Sequence, residues 1–485
     1  MSRDRSDSDV RLDLDLGRNP AALDPSRARS EPIFRIGIVG DFSASDGATA
    51  WRVDRDDFDE VLAQASPTLQ LDLENGLSAQ VRIRDIDDFH PDQLFERVPQ
   101  FAQLRALRAR LADPATFRRT ASELAVPASP RTARPAAPAS GSSGSLLDSI
   151  VGGDVPENAA GAFDGGLYDF IQRAMAPHLV DRPDPRQAEM VAQADASIAS
   201  LMRHVLHHPA FQALESLWRG VYRLVREVET NEQLQVHLLD MSAMAWRADL
   251  AGTGSPRDTA LYRRLSARAS AESGGWGVLV AHHTLGERDD DVSRLRLLSE
   301  VGAALDAPWL AEAHPRVALG ELSEAAASEW LQLRTAPSAR FLGLALPRVL
   351  LRLPYGAASD PAERFTFEEL ERPDAHASYL WGNPALFCAM LLAQGFTERG
   401  AGLAIGRSAV IEGLPLYVVR QDGETSTKPC AELLMRDEEA ISLIEAGYIP
   451  MLSYRDQAIV RVGRVQSVAT PPAALAGRLA GRLAH

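Results

Sequence analysis

Cysteine is scarce in this sequence. Cys388 and Cys430 are the only two among 485 residues, and no Cys-x-x-Cys occurs. A disulfide framework and a zinc ribbon are thereby excluded. No apolar run is long enough to cross a bilayer. The first twenty residues, MSRDRSDSDVRLDLDLGRNP, lack the apolar stretch of a signal peptide. A cytoplasmic protein with no membrane insertion is the expectation. Positive charge is in deficit: 51 Lys and Arg against 66 Asp and Glu leave a net charge of −15. Phosphate neutralisation needs clustered cations, so nucleic acid is not an expected partner. Catalytic signatures are missing as well. There is no GxSxG, HExxH or kinase-type set. The stretch GIVGDFSASDG (37–47) follows a strand, yet it is neither GxGxxG nor GxxxxGK[ST], and no Lys follows it. A non-enzyme with no catalytic residues, no metal and no cofactor is expected.

What is present is core material. Hydrophobic residues make up 45% of the chain and charged residues 24%, enough to bury a sizeable interior. Residues 1–30 are charged and breaker-rich and read as a flexible N-terminal arm. A first folded unit spans 31–124. In it FRIGIV (34–39) reads as a strand with Phe34, Ile36 and Ile38 on one face. LQLDLENGLSAQVRIR reads as a hairpin: Leu69, Leu71 and Leu73 alternate, Asn75-Gly76 supplies the turn, and Val81 and Ile83 return. A Leu104, Leu107, Leu111 stripe marks a helix.

Residues 125–165 read as a linker of Pro, Ala, Gly and Ser, which cannot build a core. Within it LLDSIV (146–151) is short and apolar, a pattern that either packs as a helix at the start of the next unit or docks on a partner as a helix. A second, larger unit spans 166–468. Its strands are read at LQVHLLDMS, GWGVLVAHH and ARFLGLALPRVLLRLP, with a helix at PALFCAMLLAQGF. A hairpin follows at LYVVRQDGETST, turning at Asp422-Gly423, and a helix stops at Gly447. Residues 469–485 form a low-complexity tail. Mixed strands and helices predict an α+β (mixed α/β) fold.

One stretch invites a chemical reading. In LMRHVLHHPAFQALESLWRGVYRLV (201–225), His204 and His208 stand at i and i+4, a spacing that lets two imidazoles share a metal. A His-metal hydrolase is thus a remote alternative. The third ligand is not fixed, since Glu215 lies beyond Pro209. Ile198, Leu201, Met202, Val205 and Leu206 fill the apolar face and leave the histidines at the polar edge and the helix end, where His suits the dipole. Pro209 cannot continue the first helix and marks a turn. Phe211, Leu214, Leu217, Trp218, Val221 and Val225 then recur at helical spacing, so Trp218 reads as core. His282-His283 with ERDDDVS also weighs as a cluster, but Asp289, Asp290 and Asp291 read as a solvated loop. Cys388 reads as a buried thiol.

Several longer segments resemble the two contractile sheath subunits of type VI secretion. FRIGIVGDFS (34–43), VDRDDFDEVLAQASPTLQLDL (53–73) and DIDDFHPDQL (85–94) are similar to the small, TssB-like subunit. The large, TssC-like subunit is matched from LLDSIV onward. Its matches include LHHPAFQALESLWRGVYRLV, LPRVLLRLPYG (346–356), RFTFEEL (364–370), YLWGNPALF (379–387), TKPCAELLM (427–435) and AGYIPMLSY (446–454). The resemblance implies structural roles for Asp41, Phe42, Pro209, Trp218, Pro354, Tyr355, Gly356, Trp381, Gly382, Asn383, Lys428, Pro429 and Glu432. It implies a sheath around an Hcp-type inner tube, with other sheath subunits and a baseplate as partners. A ClpV-type AAA+ unfoldase would grip Leu146, Leu147 and Ile150. The two subunits are expected to be fused here, the large one without its usual C-terminal part. The alternative is a sheath-derived accessory or capping protein that binds sheath, baseplate or unfoldase without polymerising.

Overall fold

Apolar runs punctuated by glycine and proline give the chain its strands. In the computed structural model the described residues are 33–45, 48–73, 77–125, 184–252, 254–271, 274–372, 375–399, 409–421 and 424–480. The strands are β1 (Phe34–Gly40), β2 (Ala50–Val53), β3 (Thr68–Asp72), β4 (Ser78–Arg82), β5 (Leu234–Asp240), β6 (Val278–Leu285), β7 (Trp309–Ala313) and β8 (Leu342–Leu346). Then come β9 (Val349–Leu350), β10 (Trp381–Gly382), β11 (Ala409–Ile411), β12 (Tyr417–Gln421), β13 (Glu424–Lys428), β14 (Ile449–Ser453) and β15 (Val460–Val462).

Among the described residues, nine strands form one sheet in the order β11-β15-β14-β8-β7-β6-β1-β5-β2. The six from β14 to β5 run parallel. Antiparallel strands close both sides, β2 on β5 and the β15–β11 pair on β14. Helices join the strands, so the fold is mixed α/β, as the sequence predicts. The strand read at LQVHLLDMS is β5, buried at all seven positions. A parallel strand is covered by helices on both faces, and Gln235 and His237 are enclosed with the rest.

Two cores flank the sheet. On one face Phe34, Ile36 and Ile38 pack with Trp218, Val221 and Leu386. On the other, Val39, Leu239 and Leu279 pack with Trp246, Leu261 and Leu295. The first helix of a long hairpin is Pro185–Leu206 and the second is Pro209–Glu227.

β1 and β2 come from the 31–124 stretch, yet β1 lies inside the sheet. It runs in register with β5 from Phe34↔Leu234 to Gly40↔Asp240 and pairs with β6 on its other side. The Arg35 Nε–H donates to Gln235 Oε1 at 2.9 Å across that junction. Past Val468 the chain also stays packed. Leu475 and Leu479 are buried, and the Ala476 and Arg478 amides donate to Arg340 O at 2.7 Å and Asp306 O at 2.9 Å.

The two hairpins form where expected, β3 on β4 and β12 on β13. Leu111 is buried in the Pro99–Ala112 helix, with Leu104 and Leu107 partly covered. Gly447 ends the Asp437–Glu445 helix at φ +88°. The long strand read in ARFLGLALPRVLLRLP is interrupted. β8 ends at Leu346, because Pro347 has no N–H for the ladder, and β9 pairs with β10 instead. The N-terminal arm 1–30, residues 126–165 with Leu146, Leu147 and Ile150, and both turn pairs, Asn75-Gly76 and Asp422-Gly423, lie outside the described residues.

Candidate functional site

Motifs far apart in sequence converge around the elbow between the two hairpin helices. His207 caps the first helix, and His208 caps the second by accepting the Ala210 amide on Nδ1 at 3.2 Å. Pro209 occupies the first helical position, where a missing N–H costs nothing. Further along, Trp218 is fully buried. Its ring meets Phe42 edge-on at 5.3 Å and Phe58 at 5.8 Å, and its Nε1–H donates to Phe42 O at 3.2 Å. Phe42 is fixed in turn by its amide, which donates to Asp240 Oδ1 at 2.8 Å. Asp41, just after β1, is partly buried.

Beneath the elbow lies a buried ionic cluster. Glu215 and Glu369 are 0% and 1% exposed, and Arg352 lies between them. Its Nε–H donates to Glu215 Oε1 at 2.8 Å and its Nη1–H to Glu369 Oε2 at 2.7 Å. Arg219 adds a bond to Glu215 Oε1 at 2.7 Å and another to Tyr355 Oη at 2.9 Å. The Tyr355 amide donates to Glu369 Oε2 at 2.7 Å, and Arg352 stacks on the Tyr355 ring at 4.1 Å. Burial alone would push the Glu369 carboxyl up. Arg352, His207 and the Tyr355 amide outweigh it and hold the carboxyl down at about 2. Burial pushes the Tyr355 phenol up to about 12. Pro354, Tyr355 and Gly356 are buried together. A Cβ on Gly356 would collide with Glu368 Oε2.

A second polar group borders a cavity of about 380 Å³ between the second hairpin helix and the ends of β6 and β7. Trp381, in β10, lines it and donates Nε1–H to His376 O at 3.1 Å. Gly382 leaves room for Leu351, whose Cγ would stand 2.6 Å from an added Cβ. Asn383 also lines the cavity, donating to His282 O at 3.1 Å and accepting the Ala385 amide at 2.9 Å. Lys428 places Nζ 4.7 Å from the Tyr379 ring centre and 3.2 Å from His376 Nδ1. Pro429 is partly buried beside it. Glu432 accepts two bonds from Arg348, 2.8 Å from Nε and 2.5 Å from Nη2.

The metal reading fails on geometry. His204 Nδ1 is bonded to Ser200 O at 2.7 Å, His208 is a helix cap, and Glu215 is held by arginines. No group of three or more His, Cys, Asp or Glu able to hold a metal occurs among the described residues. The histidines therefore serve the elbow, though His208 caps the following helix and does not end the preceding one. Burial, with His283 next, pushes His282 down to about 3. Burial also dominates at His283, which lies at about 4. Asp291 is not a solvated loop residue. It is fully buried, accepting Arg247 Nη1–H at 2.6 Å and the Gly286 amide at 3.1 Å. Cys388 is a buried thiol, pushed up to about 12 by desolvation.

Sequence reading missed Arg352, Glu369 and Glu312. Arg352 and Glu312 had one visible signal, a lone charge inside an apolar run, as in VLLRLPYG and WLAEA; Glu369 had none, standing among other charges in FEELER. No helix among the described residues is long and apolar enough to cross a membrane.

Comparison with known proteins agrees with this architecture. The VipB family, described as EvpB/VC_A0108, tail sheath N-terminal domain, matches residues 188–469, more than half of the chain. The T6SS_VipA family, described as Type VI secretion system, VipA, VC_A0107 or Hcp2, matches residues 22–121. The type VI secretion system sheath protein TssC1 of Pseudomonas aeruginosa is 29% identical over 306 residues, which cover 58% of this chain and 61% of that protein. The chain thus spans less than two thirds of this relative's length. With the VipB match over most of the nine-stranded sheet and the VipA match over β1 and β2, the chain belongs to the tail sheath family of type VI secretion.

Proposed function

We propose that this chain is a single-chain sheath protomer of a type VI secretion apparatus, joining small-subunit and large-subunit halves through residues 125–165. One observation carries the reading: β1, from the VipA-matched stretch, pairs on both sides with strands of the VipB-matched stretch. Neither half has a complete sheet without the other, so each supplies backbone partners that the other lacks. Joining them in one chain fixes their ratio and raises their effective concentration for each other.

In this reading the protomer polymerises in the cytoplasm around an Hcp-type inner tube, starting from a baseplate. Sheath contraction drives the tube outward through cooperative repacking of subunits. The segment 146–151, with Leu146, Leu147 and Ile150, is the handle for a ClpV-type unfoldase. The buried elbow cluster keeps the hairpin rigid while subunits move.

Electron microscopy of the purified protein, alone and with Hcp-type rings, tests this. Hollow tubules are the expected product. Discrete particles under both conditions would overturn it and leave the accessory or capping role.

A further inference from the structure

The β3–β4 hairpin and the Pro185–Leu206 helix border an open groove of about 450 Å³. One wall is Leu73 and Leu77, which flank the hairpin turn. The floor is a strip of the helix: Ala196, Ser197, Ser200, Leu201 and His204. These positions recur at three- and four-residue spacing and so share one helix face. Leu77 is 44% exposed, and Leu73 and Leu201 are partly covered. Ala196, Ser197 and Ser200 are small and exposed, which keeps the floor low between the leucines. No Asp, Glu, Lys or Arg lines the groove among the described residues, and His204 is bonded to Ser200 O. Such a lining suits the apolar face of a helix and not an ionic ligand.

The chain itself carries such a face nearby. Residues 126–183 lie outside the described residues, and both ends of that span meet the Pro185–Leu206 helix. On one side Phe117, in the Pro114–Ala125 helix, packs with Ala194. On the other, Asp184 caps Pro185–Leu206 by accepting the Arg186 amide at 3.0 Å. Shortly before Asp184 the sequence reads GLYDFIQRAM (166–175). Its Leu167, Phe170, Ile171, Ala174 and Met175 recur at the spacing of one helix face. Pro177 and Pro183 follow and favour a turn.

Length selects this segment. The groove runs from Ala196 to His204, about 12 Å along the helix axis, and a helix from Leu167 to Met175 has the same length. The groove begins about 17 Å along the helix from Pro185. The chain between Met175 and Pro185 can span up to about 35 Å, enough to turn back and reach it. LLDSIV offers only about one and a half turns and stands farther from Asp184.

We propose that residues 167–175 dock in this groove as an amphipathic helix antiparallel to Pro185–Leu206. Leu73 and Leu77 belong to the VipA-matched stretch and the floor to the VipB-matched one, so the docked helix clasps the two halves together. Residues 167–175 lie outside both matched stretches. The inference does not depend on polymerisation.

Trypsin cutting of the full chain tests the docking. The bond after Arg173 is expected to be cut about tenfold or more slowly than the bond after Arg131. Ser200→Trp fills the groove from an exposed helix position, and Phe170→Asp puts a charge on the docking face. Each is expected to bring the two rates within about threefold. Circular dichroism checks that both variants are folded. Equal rates at the two bonds in the wild type, or an unchanged ratio in folded Ser200→Trp, would overturn the docking. The occupant is checked by mild oxidation of double variants, since Cys388 and Cys430 are buried. Ser197→Cys with Ala174→Cys is expected to close a disulfide within one chain about tenfold or more faster than Ser197→Cys with Ser149→Cys. Faster closure of the second pair would give the groove to residues 146–151. A disulfide between two chains would give it to a second copy. Either result, or no disulfide in the first pair, would overturn the assignment.

Discussion

Replacing Arg352 by methionine removes the cation that both buried carboxylates share. In the wild type, Arg352 makes four charge-assisted bonds, two to Glu215 at 2.8 and 3.2 Å and two to Glu369 at 2.7 and 3.1 Å. The cluster of Glu215, Glu369, Arg219 and Arg352 is balanced. Arg352→Met leaves it one cation short, with Glu369 facing only His207 and the Tyr355 amide. Breaking a buried pair in this way costs about 3–5 kcal/mol. Urea unfolding followed by circular dichroism at about pH 7.5 measures it. The pH dependence is a second check. Glu369 has its folded carboxyl lowered to about 2, so its contribution is present above the ordinary 4.5 and is lost as pH falls toward 2. In the variant the orphaned Glu369 carboxylate takes up a proton at higher pH, which relieves the penalty. The stability gap between wild type and variant should therefore narrow on acidification. A gap under about 1 kcal/mol at neutral pH, or one that widens with acid, would refute the reasoning.

Trp218→Ala should cost about 3–5 kcal/mol in the same urea assay, since it empties a fully buried site and removes the bond to Phe42 O. A loss near zero would mean that the second hairpin helix does not hold the first segment in place. Glu312→Gln should behave in the opposite way at high pH. Its carboxyl is raised from 4.5 to about 7, so its ionisation destabilises the fold as pH rises through that window. At about 1.4 kcal/mol per tenfold change, the variant should gain about 3 kcal/mol over wild type near pH 8.5 and little near pH 4.5. A pH-independent difference would contradict the burial of that carboxyl.

Elements set by local pattern were legible in the sequence. The hairpin at Leu69–Ile83, the elbow at Pro209 and the Trp218 stripe follow from turn chemistry and helical spacing. Long-range pairing left no local mark. FRIGIV reads as a strand, but nothing in those residues says that it enters between β5 and β6, more than 190 residues away. The packing of the tail left no local mark either. ATPPAALAGRLAGRL is low in complexity, yet two of its three leucines, Leu475 and Leu479, reach a buried surface built by distant chain. Buried ion clusters were hidden too, because a sequence shows a lone charge and not the partner that makes its burial tolerable. His208 shows the same limit at short range. Its place near a helix end was legible, but its function as cap depends on which helix its imidazole faces.

Shared ownership of one sheet by the two halves is the central claim. It is tested by inserting a protease site between residues 126 and 145, cutting the folded protein, and passing the product over a gel-filtration column with a urea titration of the eluted material. The two fragments should elute together and unfold in a single transition, because β1 lies between β5 and β6. Separate elution of a folded C-terminal fragment with native circular dichroism would contradict it.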